Sequence, residues 1–240
     1  MASRKEQKER LRAERIAKEE TERQEAARRR RLQIGAAAAA VLIIAAVVVV
    51  IAVAGGGGGG GESSSSAITY HQDSVPASAQ LALLDTAPPW QPNYKQLPQR
   101  VQAMGLPGFN ETTFHIHAWL HIYDDGKAVT VPANIGIIAA SGFLSPLHTH
   151  DTTGIIHMEA DQEYDFTLGQ FMNVWGVEFS DNQLGSLKSK GDQTLQVYLN
   201  GQLVKDPVNV VMHEHDNIVI GYGKPGSFPK EPKLDWPPGL

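Results

Sequence analysis

The chain has 240 residues, 42% of them hydrophobic, with nine His and no Cys. Without Cys there can be no disulfide bond, lipid anchor on Cys, Cys-type zinc site, iron–sulfur ligation or thiol nucleophile. Residues 1–33 hold twelve Lys or Arg and seven Glu, a net charge of +5, whereas the rest holds nine basic and nineteen acidic residues, a net of −10. This acidic main body argues against nucleic acid as a partner.

The N-terminal segment, residues 1–33, is predicted to form a solvated, charged helix. Its Glu6/Arg10 and Glu14/Lys18 pairs have the i,i+4 spacing, acid first, that stabilises an exposed helix. Large apolar side chains are too few there to form a packed face. We expect this segment to be cytoplasmic.

A transmembrane helix is predicted at residues 34–54, which carry no charge and consist of Ala, Val, Ile and Leu with one Gly. About 20 such residues cross a bilayer core. Arg28–Arg31 stand directly before the span, which keeps the N-terminus in the cytoplasm and predicts an extracytoplasmic C-terminal part at the cell membrane. The alternative is a signal peptide cleaved after Ala52-Val53-Ala54, although the charged region before the span is long for one. Residues 55–66 read as a flexible Gly/Ser linker.

The fold class predicted for the rest is mainly β, with α+β as the alternative: one extracytoplasmic β-rich domain with hairpins and short helices. We expect a Pro-rich arm at 67–113, a His-rich β domain at 114–223 and a Pro-rich, extended tail at 224–240. Within the arm, short helices are predicted at Ala77–Leu84 and Gln99–Met104.

Strands in the β domain are predicted from alternating apolar and polar residues. The clearest run begins at Phe114 and ends at Tyr123. Turns at Asp125-Gly126 and Asn200-Gly201 predict two hairpins, leading into 128–132 and 202–204. A helix is expected at Leu168–Trp175, with Thr167 as its cap and Gly176 as its stop. The remaining predicted strands are Leu147–His150, Gly154–Ala160, Asn209–His213 and Ile218–Tyr222.

Histidines recur with a spacing of two, in His115/His117, His148/His150 and His213/His215, and His157/Glu159 repeats the spacing. Because residues i and i+2 of a strand share a face, each pair presents two side chains to one patch. Imidazole with carboxylate suits Zn²⁺, Cu²⁺ or Ni²⁺. Asp151 and Asp216 are placed to orient a ligating ring. The predicted metal ligands are His115, His117, His148, His150, His157 and Glu159.

Three other interpretations remain open. The histidines could form a structural hydrogen-bonded network in a module that binds another cell-envelope protein, or a patch that senses pH. An enzyme would need a metal with an open position and a general base such as Glu159. The sequence contains no nucleophile elbow, P-loop or dinucleotide-binding loop, so we assign no catalytic residue.

Several motifs resemble an uncharacterised family of bacterial single-pass, membrane-anchored, His-rich extracytoplasmic domains. They are His115–Leu120, Val131–Ile137, Leu147–Glu159, Phe166–Phe171, Val174–Gly176 and Tyr198–Gly201. The resemblance implies a location and a His-rich β domain, but no activity. The N-terminal anchor is similar to those of exported thioredoxin-like proteins, whose redox Cys pair is absent here. Phe114–His117 is similar to a copper strand of Cu,Zn superoxide dismutase, although the disulfide and the metal-loop spacing are missing.

Overall fold

The computed structural model describes residues 68–108 and 112–240. The predicted charged segment (1–33), transmembrane helix (34–54) and linker (55–66) lie outside the described residues. Within the described ranges, no helix combines the length and hydropathy needed for a bilayer span.

The described chain is mainly β, as the alternation predicts. Its helices are α1 Leu97–Ala103 and α2 Leu168–Trp175, and its strands are β1 Phe114–Asp124, β2 Lys127–Val129, β3 Ile137–Ile138, β4 Phe143–Leu144, β5 Leu147–His148, β6 Ile155–Ala160, β7 Phe179–Ser180, β8 Gln183–Leu184, β9 Leu187–Lys188, β10 Thr194–Leu199, β11 Gln202–Leu203 and β12 Asp216–Gly223.

The largest sheet has the strand order β11-β10-β12-β1-β6-β5, and β2 also pairs with β1. Strands β1 and β12 are parallel, and every other pair in this sheet is antiparallel. On β1 the apolar positions Ala118, Leu120 and Ile122 are at most 2% exposed. The alternate positions, which include His115 and His117, therefore belong to the opposite face.

Both predicted hairpins are confirmed. Asp125 and Gly126 have φ of 45° and 77°, and Asn200 and Gly201 have φ of 50° and 76°. Two consecutive positive φ values are what a tight hairpin turn requires, and Asn-Gly and Asp-Gly tolerate them best. These turns set the β1–β2 and β10–β11 pairings.

Helix α2 is confirmed with its predicted bounds. The Thr167 side chain accepts from the Gln170 amide while the Gln170 side chain accepts from the Thr167 amide, which forms a capping box. Gly176 ends the helix at φ 82°. Every residue of α2 is buried, and the helix packs against β5.

Three predicted elements need correction. The Ala77–Leu84 helix is only a 3₁₀ turn at Ala77–Ala79, because Gln80 leaves the helical region with ψ 63° and Ala82 has φ 54°, which a right-handed helix does not allow. The Asn209–His213 segment is not a strand of a sheet: it makes isolated bridges from Val210 to Tyr70 and from Val211 to Thr167, so its backbone is shared between two neighbours. The strand expected at Leu147–His150 ends at His148, since the Thr149 amide turns to the Ile135 carbonyl.

The Pro-rich region before β1 contributes to the hydrophobic core. Trp90 and Leu97 are 1% and 0% exposed. The Trp90 ring meets the Trp175 ring edge-on, with 6.1 Å between centroids. Helix α1, beginning two residues before its predicted start, carries Arg100 into the same buried region.

Candidate metal centre

The candidate site lies where β1, β6 and β5 run side by side. His117 is paired with His157 across β1 and β6, and His157 is paired with His148 across β6 and β5. His115 and Glu159 form the adjacent pair. Since directly opposed residues of neighbouring strands point to the same face, this register places three imidazoles in one row and His115 with Glu159 in the next.

The ligand atoms in this cluster approach one another closely. The His115 Nε2 atom lies 3.1 Å from His117 Nε2 and 3.2 Å from His157 Nδ1. It also lies 3.3 Å from Glu159 Oε1. Four potential donor atoms therefore surround a single small volume.

The second half of the cluster has the same character. His148 Nε2 lies 3.2 Å from His150 Nε2 and 3.6 Å from Glu159 Oε1. The His150 and His157 ring centroids are 4.5 Å apart. All six predicted ligand residues are thus brought together.

Burial differs sharply among the imidazoles. The side chains of His148 and His117 are 1% and 7% exposed, while that of His115 is 35% exposed. His150 is exposed at the surface, and His157 is partly buried. The cluster is therefore anchored below the surface and open to solvent on one side.

His148 is fixed in the tautomer that a ligand needs. Its Nδ1 atom lies 3.0 Å from the Ser145 carbonyl oxygen, which can only accept, so Nδ1 carries the proton. The lone pair is then on Nε2, the atom that faces His150 and Glu159. A backbone carbonyl behind the ring is a common way to orient a metal-ligating His.

His117 has a carboxylate behind it. Its buried Nδ1 has no hydrogen-bond partner within the described part of the chain, and Glu214 Oε1 lies 3.7 Å away. Glu214 is held there because its Oε2 accepts from the His117 backbone amide at 2.9 Å, and its Oε1 lies 2.9 Å from His215 Nε2. Glu214 was not predicted as a functional residue from the sequence. Its position between His213 and His215 is the one sequence feature that could have pointed to it.

The buried imidazoles are neutral at physiological pH. Burial lowers the pKa of His148 to about 4, against a smaller opposing effect of Glu159. The pKa of His157 is lowered to about 3, mainly by burial. The neighbouring imidazoles lower this pKa further, and the effect of His117 is the largest among them. The pKa of His117 is lowered chiefly by burial and then by His115. Neutral imidazole is the form that binds metal.

Other predicted residues have different roles. Asp151 Oδ1 accepts from the Thr153 amide at 2.9 Å and from its hydroxyl, and these bonds are the main reason that the pKa of Asp151 is lowered. Asp216 accepts from the His213 amide at 2.7 Å. Both carboxylates thus stabilise turns. His213 and His215 belong to no metal-ligand group that the described ranges contain, because His215 has φ 64° and the pair lies in a turn.

Two overlapping groups have the geometry to hold a metal ion. One contains His115, His117 and His157, and the other contains His148, His150 and His157; within each, one ligand atom per residue lies within 4.8 Å of the others.

Comparison of the chain with family models, curated proteins and solved structures found no significant match.

Proposed function

We propose that the β-rich domain binds a transition metal ion through its histidine cluster. The ligands are His115, His117, His148, His150 and His157, with Glu159 as the carboxylate. Zn²⁺ and Cu²⁺ suit this donor set best, because it combines imidazole and carboxylate without thiolate.

The observation that carries the proposal is the surroundings of His115 Nε2. This atom has three polar contacts between 3.1 and 3.3 Å, to His117, His157 and Glu159. An imidazole nitrogen has either one proton or one lone pair, so a hydrogen bond accounts for one such contact and not for three. Ligands bonded at 2.0–2.1 Å to a tetrahedral ion lie about 3.3 Å from one another. The spacing fits a shared ion.

The charges support the same conclusion. Several of the imidazoles are neutral through burial, and Glu159 supplies a negative charge among them. The chain after residue 33 is strongly acidic, with nine basic and nineteen acidic residues. A cation is therefore attracted to this part of the molecule and meets available lone pairs there.

A structural network within a protein-interaction module is the second candidate. The ring contacts of 3.1–3.2 Å are also hydrogen-bond distances. The contact between His115 and His157 would join β1 to β6 without an ion. The two candidates differ in whether the folded chain is stabilised by metal.

The deciding experiment measures thermal unfolding of the untagged full chain with Zn²⁺, Cu²⁺ or Ni²⁺ at neutral pH. A metal that binds the folded state stabilises it by about 2.7 kcal/mol at a hundredfold excess over Kd. We expect His148→Ala/His150→Ala to lose this stabilisation and to keep its β circular dichroism spectrum. The matched control, His71→Ala/His213→Ala, removes two exposed imidazoles outside the cluster and should respond as the wild type does.

Two results would contradict the proposal. If none of the three metals changes the wild-type melting temperature, the protein-interaction module replaces metal binding as the proposed function. If the metal-free double variant unfolds, His115→Ala/His150→Ala becomes the test, because both of these side chains are exposed. A wild-type metal response in that variant would place metal binding outside the cluster and assign the histidines a structural role.

We further propose that this module is extracytoplasmic and is anchored by one N-terminal span. The support is the uncharged run at 34–54 and the arginines before it, Arg28–Arg31. A reporter enzyme fused after Leu240 should be active only outside the cytoplasm. Activity in the cytoplasm would refute this orientation.

A further inference from the structure

The cluster has more donors than one ion can use. A structural zinc site has four ligands in a tetrahedron, whereas five imidazoles and one carboxylate converge here. The distances between ligand atoms also divide the six residues into two groups. His115 contacts His117 and His157, and His148 contacts His150, each at 3.1–3.2 Å.

His157 is the residue shared by the two groups. It is opposite His117 on one side and opposite His148 on the other, because β6 lies between β1 and β5. Its Nδ1 faces His115 Nε2 at 3.2 Å. Loss of the N–H proton to solvent when a second ion binds gives an imidazolate with a lone pair on each nitrogen, so one ring can bind one ion through Nδ1 and another through Nε2.

Glu159 also lies between the groups. One oxygen, Oε1, is 3.3 Å from His115 Nε2 and 3.6 Å from His148 Nε2. The other oxygen, Oε2, accepts from the Thr112 hydroxyl at 3.2 Å, which holds the carboxylate in place. A carboxylate at this position places its negative charge beside both groups and reduces the repulsion between two ions.

We infer that the cluster is a dinuclear site, with one transition metal ion at His115, His117 and His157 and a second at His148, His150 and His157, and with Glu159 between them. The inference rests on the proposed function, since each ion is bound by the same imidazoles. Each group includes an exposed member, His115 or His150, so each ion keeps a side open to solvent. An open position on each ion can take a water molecule or a small anion.

The test is the stoichiometry and coupling of bound metal in the untagged full chain. We expect two equivalents of Zn²⁺ by elemental analysis after equilibrium dialysis. Loaded with Cu²⁺, the protein should show a normal isolated signal in electron paramagnetic resonance at low occupancy. At two equivalents, the integrated signal per copper should fall through coupling between the ions.

The variants use the exposed ligands, so that folding is preserved. His115→Ala should weaken binding of one ion at least tenfold and leave the other unchanged, and His150→Ala should do the reverse. His213→Ala, also exposed and outside both groups, should retain both ions. The double variant His115→Ala/His150→Ala should weaken both sites.

The outcomes separate this inference from the proposed function. A single equivalent in the wild type, weakened by both His115→Ala and His150→Ala, would overturn the dinuclear site while supporting metal binding. Two equivalents without coupling in the Cu²⁺ spectrum would place the ions apart and also overturn it. Failure of the wild type to bind any of the metals would overturn both.

Discussion

Arg100 and the histidine cluster are two polar regions held away from water, and they differ in how their hydrogen-bonding groups are matched. The Arg100 guanidinium is fully buried and points its five N–H groups at backbone carbonyls. Each donor has an acceptor. In the cluster, by contrast, His115 Nε2 has three close neighbours for one proton or lone pair. The carbonyls accepting from Arg100 are those of Leu81, Asn93, Lys95, Asn173 and Val174.

The difference separates a structural role from a binding role. Asn173 and Val174 lie in the last turn of α2, where helix carbonyls lack the usual i+4 amide partner and carry partial negative charge. Arg100 satisfies them and joins α2 to the region before β1. Burial lowers the pKa of Arg100 to about 10, which still leaves it charged at neutral pH. The Arg100 donors are all matched by acceptors and leave no site for a ligand, whereas the converging lone pairs of the cluster support the proposed metal site.

The largest expected effect is on Arg100. Arg100→Ala removes all five donors and leaves several buried carbonyls unpaired, so the free energy of unfolding should fall by about 3–5 kcal/mol. Arg100→Lys keeps the charge but offers fewer and differently directed donors, and it should lose an intermediate amount. Urea unfolding followed by Trp fluorescence measures both. A loss below about 1 kcal/mol for Arg100→Ala would show that the carbonyls find other partners.

The second prediction concerns acid and the metal-free protein. The folded-state pKa values of His148 and His157, about 4 and about 3, lie below the ordinary value of 6.5. The unfolded chain therefore binds more protons in this range, and stability that is complete above pH 6.5 is lost as the pH falls toward 4. Each such group contributes at most about 1.4 kcal/mol per pH unit.

Urea unfolding of the metal-free chain at pH 7.5, 6.5 and 5.5 measures this loss. His71→Ala should leave the slope unchanged, because His71 is exposed and outside the cluster. Arg100 stays charged throughout and adds nothing to the slope. Constant stability over the three pH values would mean that the cluster opens to water before it is protonated.

The smallest expected effect is on the carboxylate behind His117. Glu214→Gln keeps the shape but removes the charge 3.7 Å from His117 Nδ1, so the ring becomes a weaker ligand. Loss of such a partner weakens metal binding by about tenfold or more. Competition with a chromophoric chelator measures the Zn²⁺ affinity, and Glu163→Gln, an exposed carboxylate after β6, is the control. A change below twofold would show that Glu214 acts only through the His117 backbone amide.

Features encoded by a few neighbouring residues could be predicted from the sequence. Strand β1 follows from its alternation, the two hairpins from Asp125-Gly126 and Asn200-Gly201, and α2 from Thr167 and Gly176. The two-residue strands could not be predicted, since so short a segment has no period. Ala82 shows the same limit: it has a positive φ that no neighbouring residue signals, and its carbonyl accepts from the Asn93 side chain eleven residues away.

The candidate site was predictable only in part. A spacing of two places His115 with His117 on one face, but it does not say which strand lies beside them. The pairing of His157 with both His117 and His148 depends on the order of β1, β6 and β5 in the sheet. His213 and His215 have the same spacing but lie in a turn outside the strands, so spacing alone does not distinguish the two cases. Glu214 reaches His117 across 97 residues of chain.

The position of His157 between two strands has a consequence for when an ion can be taken up. Before the sheet assembles, the chain offers separate His-x-His pairs, each too sparse to retain an ion against competing ligands in the cell. Only the register of three strands creates a site. For the proposed metal site, the compartment in which the chain folds, rather than the one in which it is synthesised, would therefore determine which metal is bound.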